Sequence, residues 1–174
     1  MTATHNQLTN AFHRMPHDEN TFHFLDEKVT LLVAGEDTNG AYAVAHVVKP
    51  ANQGPPLHLH EHEDETFYVK RGSMIFYIGE EIIEAKAGDY VFAPRGIQHR
   101  FVTGPEETEF ILTASPAGFD SFVKELGTSV PANAPLPQVG PPTEEDEEEI
   151  IGLVTVSKKY GITYPEIEKA MNKK

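Results

Sequence analysis

Three histidines and one glutamate carry the chemistry this sequence can support: His58 and His60, one residue apart, then Glu65, and His99 behind Pro94-Arg95-Gly96. On a β-strand, residues i and i+2 project from one face about 6 to 7 Å apart, so the two imidazoles read as a chelate for a single ion. A carboxylate and a third imidazole from later segments would complete a shell of hard and borderline donors suited to Fe, Mn, Ni, Co, Cu or Zn. The chain has no cysteine, which excludes thiolate ligands, disulfides and cysteine nucleophiles together. One divalent transition-metal ion per chain is therefore expected. Imidazole-rich shells with a carboxylate suit five- or six-coordinate ions and leave positions for water, dioxygen or a substrate oxygen, so the site reads as reactive rather than structural.

Other residues near this set have plainer readings. His62 continues the alternate-residue series, yet Glu61, Glu63 and Asp64 around it read as a solvated rim. His46 shares a strand face with Tyr42, Val44 and Val48 and is either a core histidine or, as favoured here, a wall of the pocket. Phe67, Phe76, Tyr77, Tyr90, Phe92 and Phe101 read mostly as core, with a few facing the ion and making the pocket apolar enough for a flat organic substrate. The sequence contains no Ser-His-Asp grouping, glycine-rich phosphate loop or His-Glu-x-x-His helix. The ion must carry any reactivity.

Strands have to position these ligands. Between about residues 21 and 116, short apolar or alternating runs are punctuated by Gly, Pro, Asn and Asp. The runs are 29–34, 41–48, 57–60, 66–70, 74–78, 82–85, 90–93, and 101–102 paired with 110–114. Such a series predicts an all-β jelly roll, with Gly72, Gly88 and Gly96 as turn residues. The expected organisation is an N-terminal arm over 1–20, a barrel domain over 21–118 and a C-terminal extension over 119–174. In the extension, Phe119, Phe122, Val123 and Leu126 share one helical face, and residues 128–142 hold five of the thirteen prolines and form a strap. Thr143 would cap a second helix that starts with the acidic run 144–149, a solvated and dipole-favoured N-terminus, and ends at Tyr160 before Gly161. No internal repeat is visible.

At 174 residues and 39% apolar composition the chain fits one domain with appendages. Its net charge of −13, with only 14 Lys and Arg and no basic run, opposes nucleic acid and anionic lipid surfaces. The expected partner is a small-molecule substrate, with neither nucleic acid nor membrane. Residues 1–10 lack the basic-then-apolar order of a secretory signal, and the apolar runs fall far short of the roughly 20 residues needed to cross a bilayer. A cytoplasmic protein is expected.

The spacing holds more than four ligands. His58, one residue, His60, four residues, Glu65, six residues, Gly72 is followed by Gly88, five residues, Pro94, one, Gly96, two, His99. Over about residues 25–115 the chain resembles the cupin superfamily, whose two motifs these intervals meet. Two departures touch no ligand: three residues separate Gly54 from His58 where the commonest motif has five, and Thr103 stands where the second motif often ends in Asn. The resemblance implies a cupin jelly-roll β-barrel with a C-terminal helical extension and the metal inside, bound by His58, His60, Glu65 and His99.

Within that superfamily, residues 54–69 and 115–119 are similar to the quercetinase-like group. The proline-rich strap, acidic helix and Tyr160-Gly161-Ile162 extend the similarity over most of 21–164. This implies a dioxygenase that opens a flavonol-like substrate with dioxygen and releases carbon monoxide, with Glu65 as metal ligand and catalytic proton acceptor. It also implies a homodimer, for which exposed strand edges and residues 1–20 are the expected pairing elements. The same shell would serve an isomerase or decarboxylase on a small polar metabolite, or a non-catalytic small-molecule binder. A DNA-binding regulator lacks support, since no helix-turn-helix segment or basic stripe accompanies the barrel.

Overall fold

Side-chain alternation decides how this chain folds. The computed structural model describes residues 11–138 and 144–171. Among them, twelve strands run in the order β1 (Thr21–Phe24), β2 (Glu27–Val33), β3 (Ala43–Lys49), β4 (Leu59–His60), β5 (Asp64–Arg71), β6 (Ser73–Ile78), β7 (Glu81–Lys86), β8 (Tyr90–Ala93), β9 (His99–Thr103), β10 (Thr108–Ser115), β11 (Thr128–Ser129) and β12 (Ile162–Thr163). Every strand pairing is antiparallel. A seven-stranded sheet has the order β11-β1-β2-β3-β10-β5-β8, a three-stranded sheet the order β7-β6-β9, and β12 pairs with β4. The sheets form a jelly roll without a closed hydrogen-bonded ring.

Alternate residues of each strand point inward, and the inward rows fuse into one core. Phe67 and Phe110 from the larger sheet meet Phe76 and Phe101 from the smaller one, with ring centroids 5.0 to 6.0 Å apart. Burying each such ring contributes about 1.5–3 kcal/mol. Glu65 precedes Phe67 and Val69 in one inward row, while His99 precedes Phe101 and Thr103 in another. The pattern that packs the core therefore also aims two of the expected ligands inside.

Helix α1 (Phe119–Leu126) has the bounds read from the sequence and buries Phe119, Phe122 and Val123. Phe119 and Phe122 pack edge-on against Phe24, with centroids 6.1 and 5.3 Å away. Asp120 is buried on the same helix and accepts the Gly35 N–H at 2.9 Å, a tertiary role that the apolar periodicity does not reveal. Helix α2 (Glu144–Ser157) continues as a 3₁₀ turn through Tyr160 and stops at Gly161, whose φ of 68° suits a residue without Cβ. Thr143, residues 1–10 and the side chains of 144–149 lie outside the described residues, so the expected cap, acidic face and distal arm do too. A further helix, α3 (Pro165–Met171), follows and was not anticipated. No helix among the described residues is long and apolar enough to cross a membrane.

Within the N-terminal arm, Arg14 reaches Asp37 through two hydrogen bonds of 2.6 and 3.1 Å and Asn20 is buried. Two side-chain expectations are corrected. His46 is neither core nor pocket wall. The inward row of β3 is Ala43, Ala45, Val47 and Lys49, which turns His46 to the outer face, where it contacts Glu109 at 3.3 Å. Tyr90 and Phe92 also leave the core, being 65% and 53% exposed, because Val91 and Ala93 take the inward positions of edge strand β8.

Candidate metal centre

His58 and His99 are tied by their own backbones. The two residues exchange both hydrogen bonds of an antiparallel pair, His58 N to His99 O at 3.1 Å and His99 N to His58 O at 2.8 Å. Gly54 makes this approach feasible: a Cβ there would sit 1.8 Å from the Phe101 carbonyl oxygen. His60 follows on β4, and Glu65 comes from β5 between Ala93 and Ala114 on the neighbouring strands. Two alanines flanking a carboxylate leave room beside it.

The outcome is one cluster. A ligand atom from each of His58, His60, Glu65 and His99 lies within 4.8 Å of the others, all four residues are buried, and together they could hold a metal ion. The ring centroids of His58 lie 5.2 Å from His60 and 4.5 Å from His99. Glu65 Oε2 lies 2.9 Å from His99 Nε2 and 3.6 Å from His60 Nε2.

Each imidazole is oriented from behind. His58 Nδ1 faces the Pro56 carbonyl at 2.8 Å, His99 Nδ1 the Ile97 carbonyl at 3.0 Å, and His60 Nδ1 the Glu63 carboxylate at 2.9 Å. These partners only accept, so every Nδ1 must donate its N–H and every Nε2 keeps a lone pair. Three lone pairs and a carboxylate thus share one small space with no donor among them. Without a cation, the His99 Nε2 contact to Glu65 needs an added proton. The arrangement fits a metal ion by its donor chemistry.

Electrostatics agree for Glu65 and His58 and run the other way for His60. Burial would raise the Glu65 carboxyl, but His60, the His99 hydrogen bond and the remaining imidazoles hold it at about 2. Burial beside His99 and His60 lowers His58 to about 3 and keeps it neutral. His60 is also opposed by burial, yet the Glu65 and Glu63 carboxylates raise it above its ordinary value.

Glu63 was assigned to a solvated rim and is instead 2% exposed. One oxygen accepts from His60 and the other from the Phe119 N–H at 2.7 Å, joining the cluster to the start of α1. His62 stays outside the cluster: it is exposed, and its ring packs on Gly161. Two other contributors escaped the sequence reading. Tyr164, just past β12, lies over His58 with centroids 5.8 Å apart, and Ile162 pairs with His60. Tyr164 is buried, and burial near Glu65 and Glu27 pushes its phenol above the ordinary range.

The cluster opens on a cavity of about 60 Å³ walled by phenylalanines, Leu112, Ile162 and Tyr164. That is room for about four waters at ~15 Å³ each. The C-terminal segment contributes Ile162 and Tyr164 to its wall. Lys49 and Glu27 also line this cavity; neither was singled out in the sequence.

Comparison with known proteins follows the same outline. The Cupin_2 family model, described as a cupin domain, matches residues 45–114. Oxidoreductase iacF of Pestalotiopsis fici is 40% identical over 83 residues, covering 45% of this chain and 41% of that protein. Probable oxidoreductase virH of Hypocrea virens is 32% identical over 83 residues, covering 45% and 38%. The chain therefore spans about two-fifths of the length of these curated relatives. Among solved structures, an RmlC-like cupin from Shewanella frigidimarina superposes with a TM-score of 0.54 at 21% identity, over 66% of this chain and 99% of that one. This likeness speaks for the fold alone. Domain match and architecture together show a cupin fold, with residues 45–114 similar to the cupin domain model.

Proposed function

We propose that His58, His60, His99 and Glu65 hold one divalent transition-metal ion, and that the chain is a metal-dependent cupin dioxygenase acting on an enolisable or hydroxylated aromatic substrate. The observation that carries this reading is the outward commitment of all three Nδ1 atoms, which leaves three imidazole lone pairs and one carboxylate facing the same cavity. The oxidoreductase names of the two curated relatives support the reaction class. When bound, such an ion supplies Lewis acidity toward a substrate oxygen and a redox centre for dioxygen.

The chain's own groups do the rest. Glu65 stands where it can accept the proton of a substrate hydroxyl, with His60 and His99 on its flanks. Phe67, Phe101 and Phe110 present aromatic faces for a flat ring and keep bulk water out. A flavonol is far larger than the present cavity, so entry of a substrate of the quercetinase type requires Ile162 and Tyr164 to move aside. The size of the closed cavity favours, as a second reading, an isomerase or decarboxylase acting on a smaller metabolite.

Elemental analysis of the purified protein tests the first step, followed by reconstitution with Fe, Mn, Co, Ni, Cu or Zn. Oxygen uptake and carbon monoxide release are then measured with a flavonol and with smaller enols. Metal binding with oxygen uptake upholds the proposal. Turnover without oxygen uptake moves it to the second reading, and a chain that binds no metal removes both.

A further inference from the structure

The cavity has a second polar feature that the proposed chemistry does not use. Lys49 and Glu27 are buried, at 1% and 7% exposure, in an interior otherwise dominated by aromatic rings. Lys49 Nζ pairs with Asp26 Oδ1 and with Glu27 Oε2 at 3.0 Å, and it lies 5.9 Å from the centroid of Phe101. Both Lys49 and Glu27 line the cavity that also touches His58, His60 and Glu65. Withdrawing such charges from water is costly, and an apolar pair of similar volume would often be as stable. Their place on the cavity wall calls for a use.

Hydrogen-bond capacity shows what the pair would recognise. An ammonium has three donors; two go to Asp26 and Glu27, leaving one. Glu27 accepts Lys49 on one oxygen, and its other oxygen accepts no hydrogen bond from the described residues. A free donor beside a free acceptor complements a hydroxyl group, which both accepts and donates. A carboxylate has no proton to give Glu27 and would meet two carboxylates balanced by a single cation. The aromatic walls add a preference for a ring.

We propose that Lys49 and Glu27 form a substrate anchor that selects an uncharged, hydroxyl-bearing ring and rejects carboxylates of similar shape. This deepens the proposed function, on which it rests for the reacting end of the substrate. The anchor itself is independent of metal. The cavity of about 60 Å³ is smaller than the roughly 150 Å³ that houses a benzene ring, so even a compact ring enters only as Ile162 and Tyr164 give way.

The test uses the full chain stripped of metal with a chelator, and phenol, toluene and benzoate as probes, with affinities read by calorimetry. Phenol is expected to bind at least tenfold more tightly than toluene or benzoate. Equal affinities, a preference for benzoate, or no binding of any probe overturns the proposal. In the double variant Lys49→Met/Glu27→Leu, which keeps the volume and removes the charges, the order should invert to toluene over phenol. An unchanged preference for phenol would assign it to Glu65 and overturn the anchor. Should that variant fail to fold, Glu65→Gln in the metal-free chain decides: a retained preference for phenol upholds the anchor, and its loss overturns it. Metal uptake is measured separately: a wild-type chain that prefers phenol yet takes up no metal overturns the proposed function and upholds the anchor.

Discussion

Replacing Glu63 by glutamine asks one oxygen to do the work of two. In the native chain one Glu63 oxygen takes the Phe119 N–H at 2.7 Å and the other takes the His60 Nδ1–H at 2.9 Å. A glutamine at this position offers a single carbonyl oxygen, so its amide N–H₂ must face one of these two donors. If the amide faces His60, that imidazole relieves the clash by moving its proton to Nε2, which removes a lone pair from the cluster. If it faces Phe119, the first turn of α1 keeps a buried N–H without an acceptor. A hydrogen bond to a charged group contributes about 1.5–3 kcal/mol, and an unsatisfied buried donor costs about 1–3 kcal/mol. Loss of such a supporting partner typically weakens metal binding about 10- to 100-fold. Competition of Co(II) or Zn(II) against a chromophoric chelator reads the first outcome, and thermal unfolding of the metal-free protein reads the second. The expected result for Glu63→Gln is a tenfold or greater loss of metal affinity, with the metal-free melting temperature lowered by a few degrees at about 2–4 °C per kcal/mol. Affinity within twofold of the wild type together with an unchanged melting temperature would refute the assignment of Glu63 as the group that orients His60.

Other outcomes follow from the same geometry. His46→Ala should leave metal affinity unchanged in the same competition assay, since His46 lies on the outer face against Glu109; a tenfold loss would contradict that placement. Gly161→Ala forces a side chain into a φ of 68°, with its Cβ 2.6 Å from the His62 ring, and should lower stability by about 1–2 kcal/mol in urea titration while loosening the segment that covers His58. The hydrogen bond from Arg14 holds Asp37 below its ordinary 3.8. The folded pKa is the lower one, so the carboxylate stabilises the fold above pH 3.8 and loses that contribution as the pH falls through its depressed value. Arg14→Ala should flatten this part of the acid-unfolding profile and cost about 1 kcal/mol at neutral pH; an unaltered profile would count against the pairing. Tyr68, Tyr90 and Phe92 are exposed together on β5 and edge strand β8, which we propose as the homodimer face. Light scattering should find a dimer that Phe92→Asp converts to monomer.

The candidate cluster was legible in the sequence because strand geometry is periodic and local: His58 and His60 share a face by their spacing, and Glu65 and His99 open the inward rows that end in Val69 and Thr103. Helix α1 was legible to its ends for a similar reason, since four apolar residues at helical spacing lie between glycines 118 and 127. What orients those ligands was not legible. Glu63 sits in an acidic run, and its identity gives no sign that it will turn inward to meet a helix start 56 residues later. Tyr90 and Phe92 look like core by residue type, yet the pairing of Val91 with Phe67 and of Ala93 with Glu65 puts the smaller side chains inside. Lys49 extends the inward row of β3 by one more step, to a position where an apolar residue is the default, and only the placement of Asp26 and Glu27 across the pair β2 and β3 makes a charge tolerable there. Composition and periodicity rank residues by what they usually do, whereas the cavity depends on the exceptions. A buried lysine, a buried pair of glutamates and a tyrosine from the far end of the chain line the metal cluster or support it, and each is held there by a partner distant in sequence. A His/Glu group that could hold a metal is found in many cupins, so what distinguishes this cavity resides in those exceptions.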